Sequence, residues 1–131
     1  MTLSDTVIRL LEEVYIAKNF SYAEEHLPEN YICHCSEGTK NKAEAIALAK
    51  RYLKKHNIKK FYLTVENSGE ETITLNVLLE CVEKEKFLGI TFGEHTAHHR
   101  HLKTFKVKNG IITESLDEFS EFEYEEIITT G

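Results

Sequence analysis

Seven histidines and three cysteines carry most of the acid–base, nucleophilic and metal-binding capacity of this 131-residue chain, and two stretches hold the majority of them. The first is Tyr31-Ile32-Cys33-His34-Cys35; the second contains His95, His98, His99 and His101. Imidazole titrates near neutrality, so a histidine held in a pocket can serve as a general base. Read as a strand, the first stretch turns Cys33 and Cys35 to one face and His34 to the other. The three therefore do not converge as zinc ligands, nor as a nucleophilic Cys–His pair. In the second stretch, strand periodicity puts His95, His99, His101 and Lys103 on one face with Phe105 and Val107, and turns His98 and Arg100 away; a bulge would reverse part of this assignment. His99 and His101 then project the same way, about 7 Å apart. With His34 they could hold a divalent metal or grip an acidic ligand, and Glu114 and Asp117 on the next strand are the carboxylates within reach. The plainer reading is of strand histidines at a surface or interface, and neither a metal nor a cofactor is expected.

The elements that position these groups follow from apolar spacing. Val7, Leu10, Leu11, Val14 and Tyr15 have the three-four spacing of a helix with one buried face, capped by Ser4 or Asp5. Ser21 with Glu24 reads as a capping box for a short second helix that ends before Pro28. Asn41 with Glu44 caps a third helix whose stripe is Ala45, Ile46, Ala49, Tyr52 and Leu53. The period then changes to two: Phe61, Leu63 and Val65, and after a turn Ile73, Leu75, Val77, Leu79 and Cys81. Glu83 to Lys86 reads as a charged turn or loop, and Gly89 and Gly93 as bends or bulges. The stretch from Glu94 to Phe122 reads as two long strands joined at Asn109-Gly110, with Ile127 and Ile128 as a frayed extension.

Composition bounds the class. The chain has the size of one domain able to bury a core without staples, and 41% apolar with 29% charged residues is the balance of a globular protein. A net charge of −6 argues against nucleic acid, and the short apolar runs argue against a membrane span. Three cysteines and the lack of a leader-like N-terminus point to the cytoplasm. Lysines and arginine cluster between Lys40 and Lys60, whereas no base follows Lys108; the two charged surfaces would complement each other across a dimer contact.

The order of helix, short helix, His34 strand, helix and meander resembles the nuclear transport factor 2-like superfamily, which includes ketosteroid isomerases and SnoaL-like polyketide cyclases. The local signals are the aliphatic strand after Leu27-Pro28-Glu29-Asn30 and the run Thr104 to Glu114, similar to the family's aromatic-x-aliphatic, polar-Gly turn, aliphatic and Glu pattern. The resemblance implies an α+β fold of three N-terminal helices packed in a strongly curved antiparallel or mixed sheet. This cystatin-like cone would be one domain over residues 1–131, with an apolar pocket inside. Members are often dimers.

In this alignment His34 falls where ketosteroid isomerases carry the carboxylate that moves a proton. Their enolate-stabilising tyrosine falls at Leu10 and their protonated acid at Lys103, so a ketosteroid isomerase proper is not expected. Tyr15, on the same helix face as Leu10, would reach the pocket from another place. The implied catalytic set is His34, His99, His101 and Tyr15; the implied ligand contacts are Leu11, Tyr52, Phe61, Lys103, Phe105 and Asp117. Two readings stay open. In one, the cone binds a small apolar or carbonyl-containing molecule, with isomerase-, cyclase- or dehydratase-like proton transfer and no cofactor. In the other, the chain is a homodimeric module without catalysis, associating through its sheet face. A cavity of a few hundred cubic ångströms separates the two.

Overall fold

The computed structural model describes residues 2–122. Helix α1 spans Leu3–Leu11 and is capped by Thr2 rather than by Ser4 or Asp5. The Thr2 hydroxyl accepts from the Asp5 N–H at 3.1 Å while the Asp5 carboxylate accepts from the Thr2 N–H at 3.3 Å. Asp5 is thus the reciprocal partner three residues into the box, which moves the start of the helix upstream. The helix continues as a π-helical turn over Glu12–Ile16, and Val7, Leu10, Leu11, Val14 and Tyr15 are buried along its length. Helix α2, Phe20–His26, begins before the expected capping box. The Ser21 hydroxyl donates to the Asn19 side-chain oxygen at 2.6 Å, so it is not spent on capping.

A hairpin follows, β1 over Ile32–Cys35 and β2 over Gly38–Asn41. The sequence reading placed no strand at β2, because Gly-Thr-Lys-Asn carries no apolar alternation; backbone pairing with β1 makes it one. Asn41 then caps α3, Lys42–Lys55, in the capping box expected with Glu44. The remaining strands are β3 (Asn57–Ser68), β4 (Thr72–Phe87), β5 (Ile90–Lys108) and β6 (Ile111–Phe122). The sheet order is β2-β1-β6-β5-β4-β3, with β1 parallel to β6 and every other pair antiparallel. Register shifts interrupt the β3–β4, β4–β5 and β5–β6 ladders, and such bulges bend a sheet around what it encloses. Three helices against one face of this curved sheet give the expected α+β cone.

The core is built on β4. Ile73, Leu75, Val77, Leu79 and Cys81 are all at most 1% exposed, in the alternation read from the sequence. Glu83 to Lys86 is strand rather than turn: the ladder with β5 continues to Phe87 opposite Ile90, and the reversal falls at Leu88 and Gly89, both at positive φ. Glu83 stands opposite His95 in this register, so charge at the strand end is matched across the ladder instead of solvated in a loop. The expected extension at Ile127 and Ile128, and the acidic residues from Glu123 onward, lie outside the described residues. Among those described, no helix is long and apolar enough to cross a membrane.

The β5–β6 turn is Asn109-Gly110, with φ of 54° and 76°. Two successive left-handed residues match the twist of a two-residue hairpin. A Cβ at Gly110 would meet nothing within 4 Å, so substitution there probes backbone strain alone. Gly110→Ala is expected to cost about 1–2 kcal/mol, measured by urea denaturation, with an unchanged far-UV spectrum.

Candidate functional site

Helices and sheet leave a cavity of about 400 Å³ between them. Its apolar wall comes from the helices, chiefly Leu11, Val14 and Tyr15 from the first, Phe20 and Ala23 from α2, and Ile46 and Ala49 from α3. The strands contribute the polar side. Lys103 and His101 project from β5, Ser115 and Asp117 from β6, and Cys33 and Cys35 from β1. Strand alternation sets this division, and the bulge at Lys106/Val107 re-phases β6, so that Ile112, Ser115 and Asp117 all turn inward while Glu114 turns out.

Asp117 anchors the polar side. One carboxylate oxygen accepts from the Lys103 ammonium at 2.6 Å, and the other accepts from His101 Nδ1 at 3.0 Å. Lys103 and His101 are 6% and 5% exposed, so these bonds lie in a low-dielectric setting. Burial works against the charge on Lys103, but Tyr15 and Asp117 beside it outweigh that and hold its pKa above the ordinary lysine value. Burial likewise works against the Asp117 carboxylate, but Lys103, then His101, hold its pKa well below the usual range. His101 goes the other way: burial, against the pull of Asp117, lowers its pKa and keeps the ring neutral at pH 7. With Nδ1–H committed to Asp117, His101 presents Nε2 as an acceptor, 3.4 Å from the Tyr52 hydroxyl. The Tyr52 hydroxyl lies closer to His99 Nδ1, at 2.6 Å, and burial raises its pKa, so it stays protonated. A second buried pair, Tyr31 with Ser115 at 2.5 Å, closes the wall near Cys33.

The structure gathers Leu11, Tyr15, Tyr52, His101, Lys103, Phe105 and Asp117 around the cavity. The Lys103 ammonium lies 5.2 Å from the centre of the Tyr15 ring, a cation–π contact. His99 is fully buried behind Tyr52 and does not line the space. Phe61 stacks on Tyr15 at 5.9 Å, outside the lining. His95 is half exposed and lies 3.5 Å from Glu83.

His34 is a correction. Its ring is on the outer side of β1, 3.1 Å from Glu114 and 3.3 Å from the Thr39 hydroxyl, and it takes no part in the cavity. The reason is period two: Tyr31, Cys33 and Cys35 face in, which forces His34 out. Alternation along β1 thus sets the direction of His34, against the position that the resemblance to the isomerases implies. Cys33 and Cys35 are therefore lining residues that the sequence reading passed over. Burial pushes the Cys33 thiol up, and it raises the Cys81 thiol to about 11, so neither is a ready thiolate. Also missed were His56, which follows α3 with no motif around it, and Glu83, read as part of a turn.

No family model and no curated protein matches this chain. Solved structures do. IdmH from Streptomyces antibioticus, a candidate polyketide cyclase, superposes with a TM-score of 0.70 at 14% identity over 89% of this chain and 91% of its own. A SnoaL-like polyketide cyclase from Agrobacterium tumefaciens gives 0.70 at 11% identity over 98% of both chains. A candidate isomerase from Bacillus subtilis gives 0.67 at 16% identity over 92% of this chain and 90% of its own. At such identities the likeness is one of fold alone: the chain shares the α+β cone of these SnoaL-like structures.

Proposed function

We propose that the cone binds a small, largely apolar carbonyl compound and moves a proton on the carbon beside its carbonyl, with His101 as the base. The observation that carries this reading is the Asp117–His101 bond at 3.0 Å on the wall of a cavity of about 400 Å³. A carboxylate that fixes one ring nitrogen orients the other as a base, and a neutral imidazole is the form needed to take a proton. Lys103 supplies a positive charge beside the same wall, where the oxygen of a forming enolate would gain most from it. Asp117 orients His101 and holds Lys103; it is a positioning residue. The apolar helix side gives the ligand its affinity. A cavity of this size supports ligand binding over the alternative of a filled cone that serves self-association alone. That the neighbours are cyclase-type proteins agrees with the reaction class.

The test is direct binding. A panel of aromatic and polycyclic ketones should raise the melting temperature of the protein and shift amide resonances around the cavity. Ala49→Phe, which places a ring in the space, should abolish both effects while leaving the far-UV spectrum intact. Ketone-induced stabilisation that survives Ala49→Phe would place the ligand elsewhere and overturn the proposal.

A further inference from the structure

A second cluster of ionisable groups lies where α3 ends against β4 and β5, and the ketone chemistry does not use it. His56 follows the last turn of α3, Glu83 is on β4 and His99 is on β5. One ligand-type atom from each lies within 4.8 Å of the other two. His56 Nδ1 is 2.5 Å from Glu83 Oε1, and His99 Nε2 is 3.7 Å from the same oxygen. The side chains are 11%, 26% and 0% exposed, respectively for His56, Glu83 and His99. We propose that His56, Glu83 and His99 form a binding site for a divalent transition ion of the zinc class.

Three observations converge. The donor set is two imidazoles and one carboxylate, which suits borderline ions and not the oxygen-preferring calcium or magnesium. The spacing is near what coordination requires: bonds of about 2.0–2.2 Å at tetrahedral angles place ligand atoms about 3.4 Å apart. His99 and Glu83 already meet this, and loading asks His56 and Glu83 to part by about 1 Å, replacing their direct bond by two bonds to the ion. Lastly, the outer contacts are those of a prepared site. Tyr52 is bonded to His99 Nδ1 at 2.6 Å, which fixes the ring so that Nε2 faces Glu83. His95 Nε2 lies 3.5 Å from the other oxygen of Glu83 and steadies the carboxylate from the solvent side. Three protein ligands leave a position open to water or a ligand atom, and His56 lines the cavity, so the ion would sit at the cavity's edge. Tyr52 joins the two clusters, because its hydroxyl touches both His99 and His101.

The experiment uses the full chain without an affinity tag, stripped with a chelator and titrated with zinc by calorimetry. Cobalt is the optical probe. One equivalent of zinc should bind, and cobalt should give the visible bands of a low-coordinate nitrogen–oxygen site. Glu83→Gln removes a ligand with little change in shape and should weaken zinc by at least about 10–100-fold, the range already seen for outer contacts. Tyr52→Phe should weaken it within that range, because it releases His99. His34→Ala and His98→Ala, each next to a carboxylate elsewhere in the sheet, should leave it unchanged. Binding untouched by Glu83→Gln, binding lost equally in His34→Ala, or no binding at submillimolar zinc would each overturn the site. None of these readouts depends on the ketone ligand, so the two proposals fail separately.

Discussion

Asp117→Ala is expected to destabilise the protein by about 3–5 kcal/mol, because it leaves the buried ammonium of Lys103 without its counter-charge. The Lys103 side chain is 8% exposed and that of Asp117 20%, so water compensates a lone ammonium there only in part. The loss should appear as a fall in melting temperature of roughly 10 °C or more. Replacing both partners together, Lys103→Met with Asp117→Leu, should recover most of it, since an apolar pair of similar volume removes the unpaired charge. A single Asp117→Ala variant within about 1 kcal/mol of the parent would mean that Lys103 escapes to solvent and that the pair does not organise this wall.

The same cluster sets the pH range of stability. Asp117 has a lowered folded pKa, so its contribution is complete above the unfolded carboxylate value near 4 and is lost as pH falls below it. Lys103 has a raised folded pKa, so its contribution is complete below the unfolded lysine value near 10.4 and is lost only as pH rises through the higher folded one. His101 has a lowered folded pKa, so its neutral form adds stability above the ordinary histidine value near 6.5, and that is lost as pH falls below it. Acid should therefore weaken the protein in two stages, His101 first and Asp117 later. His101→Gln should remove the first stage in thermal melts across pH.

His101→Gln should also slow proton transfer by about 10²–10⁴-fold, the usual contribution of a positioned base. The reaction can be followed without knowing the natural substrate, as exchange of α-hydrogens for deuterium in ketones bound from D₂O, read by NMR. Parent exchange should fall as pH drops through the lowered His101 pKa, because only the neutral ring accepts a proton. Gln retains hydrogen bonding to Asp117 but cannot serve as the base. Ketone affinity should stay near that of the parent, so the loss is carried by turnover. Exchange that persists at the parent rate in His101→Gln would remove this residue from the chemistry and leave a binding protein.

Much of the architecture was legible because it rests on local rules. Alternation in Ile73 to Cys81, the Asn41–Glu44 box and the Asn109-Gly110 turn each depend on residues a few positions apart. The shared face of His99, His101 and Lys103 follows from period two in the same way. What failed locally was competition between neighbours: Thr2 displaced Ser4 as cap, and pairing with β5 drew Glu83 to Lys86 into a strand.

Away from the bulges, the chain alone determined which face a strand residue takes, through period two, and that includes the outward turn of His34. Only the folded cone decided which of those faces meet. Asp117 reaches His101 and Lys103 because a bulge re-phases β6 against β5, and His56 reaches Glu83 and His99 because α3 ends above that corner of the sheet. Such encounters join residues up to dozens of positions apart, and they are set by sheet curvature and helix docking, which no short stretch of the chain encodes.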